Sequence, residues 1–107
     1  MLYTIQNDRF TASVNDLGAE LWSLRDRRSG REYIWQGDAR YWTGRSPVLF
    51  PIVGRLKDDA YLVNGRQYHL KKHGFARGAC FAPGRDGEGG LTMTLESSEQ
   101  TLAQYPF

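Results

Sequence analysis

The stretch FPIVGRLKDDAYLVNGRQYHLKKHGFAR, residues 50–77, contains the clearest local fold signal in the chain and most of its candidate functional groups. Asn64-Gly65 separates two short runs of strand-forming residues, 60–63 and 66–70. Asn and Gly both tolerate the positive φ that the two central positions of a type I′ turn require. The pair therefore predicts a β-hairpin.

Short strand-like runs continue on both sides of this hairpin. Residues 2–5 and 10–14 are followed by runs at 20–25 and 31–35, which flank a turn at 26–30 that ends in glycine. Another predicted strand pair involves Phe81 and residues 91–95, with the glycine-rich segment 83–90 as a mobile loop between them. The prediction is a mainly β fold with antiparallel hairpins.

One short helix is expected near the end of the chain. Ser97 and Gln100 have the spacing of a capping box, and Pro106 would end the helix after about two turns. The chain then finishes on the apolar, aromatic residues 105–107, a run that would ordinarily lead into another strand. We therefore expect residues 1–107 to be part of a larger domain.

Composition limits the classes of function. The 107 residues are 40% hydrophobic and 24% charged, which is ordinary for one globular domain. A net charge of +2 is too small for a nucleic-acid binder, whose signature would be an affinity that falls steeply with salt. The aromatic share of 13% suits stacking on sugars or bases, but aromatic residues are also common in strands.

The sequence also carries signals of cellular location. The single cysteine, Cys80, cannot form an intramolecular disulfide, which favours a reducing compartment. The first ten residues show no signal-peptide pattern, and no apolar run approaches 18 residues. We predict a soluble, cytoplasmic protein without a membrane partner.

Several common chemical motifs do not fit. His69 and His73 have an H-x3-H spacing, but the residues between them lie just after a hairpin, where a helix is not expected, and Cys80 is expected to be a buried strand residue. His69 belongs to the hairpin strand and is expected at the surface. The glycines of 84–90 have no accompanying lysine, and no Gly-x-Ser-x-Gly elbow is present. The sequence thus predicts no metal site, no phosphate-binding loop and no serine nucleophile.

Arg55, His73 and Arg77 remain as candidate functional residues. Arginine offers forked donors to paired hydroxyls or a phosphate, and histidine exchanges a proton near neutral pH. Nearby residues allow a close approach of the backbone or provide an apolar wall: Gly54, Gly74, Phe50 and Phe75. The set suits a polyhydroxylated ligand that undergoes acid–base chemistry, although each residue alone is ordinary as a surface or near-core group.

SPVLFPIVGRLKD, the Asn-Gly hairpin, HGFAR and QYPF occur in an order that resembles the aldose 1-epimerase, or galactose mutarotase-like, family, and within it the bacterial LacX-like branch. The resemblance covers almost the whole chain. It implies an antiparallel β-sandwich called the supersandwich, in proteins more than twice as long. In those terms residues 1–107 are the N-terminal part of a single domain.

The resemblance also implies an activity, the interconversion of the α and β anomers of an aldose through its open-chain aldehyde. One group removes the proton of the anomeric hydroxyl while another protonates the ring oxygen. Family members use a glutamate base and a histidine acid, and they need no cofactor. The implied partner is a small-molecule sugar, either free or phosphorylated.

Only some family residues have counterparts here. By resemblance His73 is a sugar contact and a candidate for proton transfer, Arg55 is a substrate-binding arginine, and Arg77 lies in the same motif with a weaker assignment as a sugar contact. Three groups of the family fall beyond residue 107: the second histidine, an acidic contact and the base glutamate. Glu96 and Glu99 do not lie in a motif that would let them replace the base. The 107-residue chain alone is therefore expected to be inactive, and to need the missing part or to self-associate.

Two questions remain open at the level of sequence. By resemblance, the phosphate-sugar branch of the family carries an Arg-Gly-Gly-like stretch where this chain reads TGRSP. Arg45 therefore leaves a sugar-phosphate substrate neither predicted nor excluded. The main alternative to an isomerase is a non-catalytic carbohydrate-binding module that keeps the aromatic and arginine contacts.

Overall fold

The computed structural model describes residues 1–107, which begin with a three-stranded antiparallel sheet. Its strands are β1 (Leu2–Gln6), β2 (Phe10–Asn15) and β3 (Glu20–Asp26), in that order across the sheet. The register between β2 and β3 shifts between Ser13 and Val14, as at a β-bulge. All three strands were expected from the sequence.

The central hairpin is confirmed. Strands β4 (Ala60–Val63) and β5 (Arg66–His69) pair antiparallel across the two-residue turn. Asn64 and Gly65 have φ values of 49° and 80°, which is the left-handed geometry that a type I′ turn requires. The hairpin divides the candidate motif into residues 50–59 before it and residues 70–77 after it. Because its strands are antiparallel, both segments leave the hairpin at the same end.

The prediction of a mobile loop at 83–90 is wrong. Strand β6 (Ala82–Asp86) pairs in register with β7 (Gly90–Thr94), and only the residues between them form the turn. Pro83 is tolerated because β6 is an edge of a two-stranded ribbon, where the missing N–H need not join a ladder. Glycine content therefore overstated the length of the loop.

The expected fourth strand at 31–35 is also wrong. Only an isolated bridge joins Arg25 to Glu32. The Glu32 carboxylate accepts hydrogen bonds from the backbone N–H groups of Leu24 at 2.8 Å and Ile34 at 3.0 Å, and from the Ser23 hydroxyl. Backbone pairing with β3 is thus limited to one bridge, made by the Asp26 and Tyr33 N–H groups, and the Glu32 side chain supplies the other contacts.

The helix near the end of the chain is α1 (Glu99–Gln104), and its capping box lies one residue later than predicted. The Ser98 side chain accepts from the Thr101 N–H at 3.2 Å, and the Ser98 N–H donates to the Thr101 hydroxyl at 2.8 Å. The Tyr61 hydroxyl donates to the Gln104 carbonyl at 2.6 Å, which holds the helix against the hairpin. No helix here combines the length and apolarity of a membrane span.

Segments without regular structure connect the sheets. Two 3₁₀ turns, Lys57–Asp59 and Ala76–Gly78, lie before and after the central hairpin. The second is fastened to the turn between β2 and β3, since the Gly18 N–H donates to the Ala79 carbonyl at 2.7 Å and Leu17 bridges to Cys80. Cys80 is exposed, so the expectation of a buried strand residue is wrong.

The chain forms an open slab with little interior. Its extents are 56 × 35 × 18 Å and its radius of gyration is 16.7 Å, against about 13 Å for a compact domain of this length. Only four residues are buried, among them Leu70 and Ala76. The apolar run 50–53 is partly open, with Phe50 at 47% and Val53 at 77% exposure. A large apolar surface is therefore uncovered.

Candidate functional site

His73 and Gly54 meet through two hydrogen bonds. The His73 backbone N–H donates to the Gly54 carbonyl at 2.9 Å, and the Gly54 N–H donates to the imidazole Nδ1 of His73, also at 2.9 Å. Gly54 directly precedes Arg55 in the chain, so this contact places His73 against the backbone next to the arginine, although the whole hairpin separates the two in sequence. Two of the three sequence-predicted residues thus lie on adjacent stretches of backbone.

The Gly54 contact determines what the imidazole of His73 can do. A ring nitrogen that accepts a hydrogen bond carries no proton, so the proton of the neutral ring is on Nε2. His73 also has a φ of 64°, a left-handed conformation that is uncommon for a residue with a side chain and often found at functional positions. The half-buried ring is thus held with Nε2–H as its available donor.

Arg55 is held by a carboxylate of the first 3₁₀ turn. Its Nε and one terminal nitrogen lie 3.0 Å and 3.4 Å from the two Asp59 oxygens. Asp59 has a φ of 53°, and its carbonyl accepts the Leu70 N–H at 3.0 Å, so the carboxylate is fixed to the end of the hairpin. This pairing orients the exposed guanidinium and leaves its other terminal nitrogen for a ligand.

Phe50 and Phe75 form the apolar part of the motif. Their rings meet edge to face at 6.3 Å, and Phe50 bridges to Gly74. A side chain on Gly74 would overlap the Phe50 carbonyl oxygen, so only glycine permits this approach. Both phenylalanines line a cavity of about 180 Å³ with Glu96 and Tyr105.

Arg77 bonds to the residue before His73 and also lines a cavity of its own. One of its terminal nitrogens donates to the Lys72 carbonyl at 3.1 Å, and it lines a cavity formed with the turn between β2 and β3. Neither Arg55 nor His73 lines that cavity or any of the other four. The motif HGFAR therefore contributes to two different surfaces.

Arg45 is engaged within the protein. Its guanidinium lies 4.0 Å from the centre of the Trp22 ring, and one terminal nitrogen donates to the Trp22 carbonyl at 3.0 Å. Its Nε is enclosed and has no hydrogen-bond partner. This packing favours a role in holding the loop against β3.

His69, the last residue of the hairpin strand β5, is exposed, as expected for that strand. The chain contains no group of three or more His, Cys, Asp or Glu side chains that could hold a metal ion.

Sequence reasoning missed two carboxylates. Asp59 follows Arg55 by four residues, a spacing that is visible in the sequence but is informative only once the 3₁₀ turn is known. Glu20 accepts the Arg45 and Ser46 N–H groups, both at 2.9 Å, across a separation that no local pattern reveals. Both act by fixing neighbouring loops.

Sequence comparison identifies the relatives of the chain. The family model described as aldose 1-epimerase matches residues 1–107. The chromosomal and plasmid forms of protein LacX from Lactococcus lactis are each 33% identical over 110 residues, a match that covers 98% of this chain. The chain spans 36% of the length of these curated relatives.

Solved structures agree with the sequence match. A galactose mutarotase related enzyme from Lactobacillus acidophilus superimposes with a TM-score of 0.93 at 42% identity. A galactose mutarotase-like protein from Lactobacillus casei gives a TM-score of 0.94 at 34% identity. Each match covers 100% of this chain and 36% of the solved one. The mainly β, galactose mutarotase-like fold class expected from the sequence is confirmed.

Proposed function

This chain belongs to the aldose 1-epimerase family, and we propose that it forms the part bearing Arg55 and His73 of an isomerase that interconverts the α and β anomers of a hexose or related aldose. The observation that carries the proposal is the pair of hydrogen bonds between His73 and Gly54, which holds an imidazole donor at the residue before Arg55. The substrate binds without a cofactor.

The proposed role of His73 is to donate a hydrogen bond from Nε2 to a sugar oxygen. While Nδ1 accepts the Gly54 N–H, the neutral ring has only the Nε2 proton, and giving it up would leave an imidazolate. His73 is therefore better suited to contact the sugar than to act as the acid. The free terminal nitrogen of Arg55 contacts a second hydroxyl, with Asp59 as its positioning residue.

The reaction needs two further groups, as family resemblance implies. A base removes the proton of the anomeric hydroxyl, an acid protonates the ring oxygen, and the C1–O5 bond breaks to give the open-chain aldehyde. Rotation about C1–C2 and closure on the opposite face give the other anomer. We propose that these groups come from the remainder of a single domain of which residues 1–107 are the N-terminal part.

We further propose an unphosphorylated aldose as the substrate. Phosphate binding requires arginine or lysine donors that are free to form charge-assisted hydrogen bonds. Arg45, the arginine in TGRSP, is stacked on Trp22 and hydrogen-bonded to its carbonyl. Its guanidinium is therefore held by its face and by one terminal nitrogen, a packing that supports a structural role over phosphate binding.

Polarimetry on the natural-length protein tests the proposal. Freshly dissolved α-galactose and α-glucose should equilibrate faster with the protein than without it. Arg55→Ala should lower this acceleration roughly tenfold to a hundredfold, the effect of losing a hydrogen bond to a charged group. Arg66→Ala is the matched control, because Arg66 is also exposed but packs on Tyr68. Equal loss in both variants would contradict the assignment of Arg55.

One observation favours a carbohydrate-binding module as the second candidate. The Asp59 carboxylate is the only side-chain partner of Arg55, and His73 has none, so this chain shows no carboxylate free to act as base beside them. A module of this kind would bind methyl galactoside and galactose alike and would leave the polarimetric rate unchanged.

A further inference from the structure

The hairpin turn at Asn64-Gly65 carries two neighbouring reactive groups that the proposed function does not use. Both residues are exposed, and no heavy atom lies within 4 Å of the position that a side chain on Gly65 would take. Nothing therefore packs over the turn. The side-chain amide of Asn64 and the backbone N–H of the following residue are both open to water.

Neither of these groups has a hydrogen-bond partner in the protein. Val63 and Arg66 form the last pair of the hairpin ladder, and the Gly65 N–H between them donates to no acceptor. The Asn64 side chain likewise takes part in no hydrogen bond. The backbone amide is therefore free to give its proton to hydroxide, and the side-chain amide is free to rotate toward it.

The other two asparagines of the chain, Asn7 and Asn15, are held in place. The Asn7 side-chain oxygen accepts two backbone N–H groups at 2.9 Å and 2.8 Å, as in an Asx turn. The Asn15 side-chain oxygen accepts the Leu17 N–H at 3.3 Å and the terminal ammonium at 3.4 Å. Each is followed by an aspartate, whose side chain crowds its own backbone nitrogen. These two residues are thus a comparison for Asn64 within the same molecule.

We infer that Asn64 is a site of spontaneous covalent modification, at which the side-chain amide is lost through a cyclic imide formed with Gly65. The Gly65 nitrogen, after losing its proton to hydroxide, bonds to Cγ of Asn64, and the Cγ–Nδ2 bond breaks to release ammonia. Water then opens the imide ring. Opening at Cγ gives aspartate, and opening at the backbone carbonyl carbon of Asn64 gives isoaspartate. Nothing is oxidised or reduced, and glycine offers no side chain that would hinder the attack.

The isoaspartate product changes the length of the turn. Its main chain runs through Cβ, so one extra atom separates β4 from β5. A two-residue type I′ turn has no room for that atom between the paired residues Val63 and Arg66. Aspartate keeps the turn, because Asp-Gly also adopts the type I′ geometry. The isoaspartate form is therefore the one that loosens the hairpin.

The hairpin transmits this change to the segments on either side of it. The N–H of Leu70, just after β5, donates at 3.0 Å to the carbonyl of Asp59, just before β4. The Asp59 carboxylate in turn holds Arg55. A change of hairpin register would therefore loosen the arginine, a consequence for activity that rests on the proposed function. The modification itself does not rest on it.

Ageing of the natural-length protein in a mildly alkaline buffer, followed by tryptic digestion and mass spectrometry, tests the inference. Cleavage after lysine and arginine places the asparagines of residues 1–107 in separate peptides, 1–9, 10–25 and 58–66. We expect exchange of –NH2 for –OH in peptide 58–66 at least about tenfold faster than in the other two, whose amides must first break two hydrogen bonds. Aspartate and isoaspartate forms of this peptide, which have the same mass, should separate on chromatography.

Asn64→Gly is the matched control, because Gly-Gly also fits a type I′ turn but carries no side-chain amide. Ageing should lower the melting temperature of the wild type and leave that of Asn64→Gly unchanged. An intact amide in peptide 58–66, equal conversion in the three peptides, or an equal fall in the melting temperatures of the two proteins would overturn the inference. These measurements do not involve a sugar, so their failure is distinguishable from failure of the polarimetric test.

Discussion

The imidazole Nδ1 of His73 lies 2.9 Å from the backbone nitrogen of Gly54 and accepts its hydrogen bond. An asparagine can replace both features of this contact. It tolerates the left-handed backbone, and its side-chain oxygen can accept the same N–H. An asparagine does not reach as far as Nε2, so this substitution keeps the fold but removes the ligand contact.

We therefore predict that His73→Asn keeps the melting temperature within a few degrees but weakens galactose binding about tenfold. The melting temperature is measured by circular dichroism and binding by calorimetry. His69→Asn is the control, because His69 is exposed at the end of the hairpin and should affect neither quantity. Unchanged binding in His73→Asn would mean that the His73 ring has only a structural role.

The contact between Gly74 and Phe50 predicts a large loss of stability in Gly74→Ala. Gly74 has a φ of 68°, and a side chain would overlap the Phe50 carbonyl oxygen. Gly65→Ala is the control for strain alone, since Gly65 has a φ of 80° and no neighbour within 4 Å. The control should lose about 1–2 kcal/mol, and Gly74→Ala should lose more. Equal free energies of unfolding, measured with urea, would show that the close approach is not needed.

Acid should destabilise the turn that follows β3. The N–H groups of Ser29 and Arg28 donate to the Asp26 carboxylate, and with Arg9 nearby they hold the pKa of Asp26 below its ordinary value of 3.8. A lowered folded-state pKa contributes stability that is present above pH 3.8 and is lost as the pH falls toward the folded-state value. Asp26→Asn keeps the acceptor oxygen but does not titrate.

The measurement is the melting temperature of the wild type and of Asp26→Asn between pH 6 and pH 3. The wild type should lose more stability than the variant below about pH 4. Parallel curves for the two proteins would mean that this carboxylate does not contribute to the acid sensitivity.

Local signals in the sequence identified most of the strands. The hairpin at Asn64-Gly65 was predictable because its turn chemistry depends on two adjacent residues. The strand expected at 31–35 failed because backbone pairing with β3 stops after one bridge, and the Glu32 side chain makes the remaining contacts, which periodicity cannot reveal. The loop expected at 83–90 failed because a glycine-rich edge strand and a loop have the same composition.

The candidate site was only partly predictable for a related reason. The motif order placed Arg55 and His73 together, and the structure brings them to one place through Gly54. The position of Arg77 depends on the packing of residues 76–81 against the turn between β2 and β3, which is a long-range contact. Long-range contacts also position Glu20, and local patterns in the sequence do not reveal such contacts.

The open slab predicts the behaviour of residues 1–107 as an isolated chain. Edges of three small sheets and exposed apolar groups such as Val53, Leu62 and Phe107 are available for association. We expect this chain to be poorly soluble or to self-associate, and not to accelerate anomer exchange. Light scattering and thermal melting check the first expectation, and a monodisperse monomer with a cooperative transition would contradict it.

Anomer exchange of galactose, followed by NMR saturation transfer between the α and β C1 protons, tests the central claim most directly. We predict that the natural-length protein accelerates exchange. In the double variant Arg55→Ala with His73→Asn, which remains folded, the acceleration should be at least about tenfold smaller. An unaccelerated exchange with the wild-type protein, or full acceleration in the folded double variant, would contradict it.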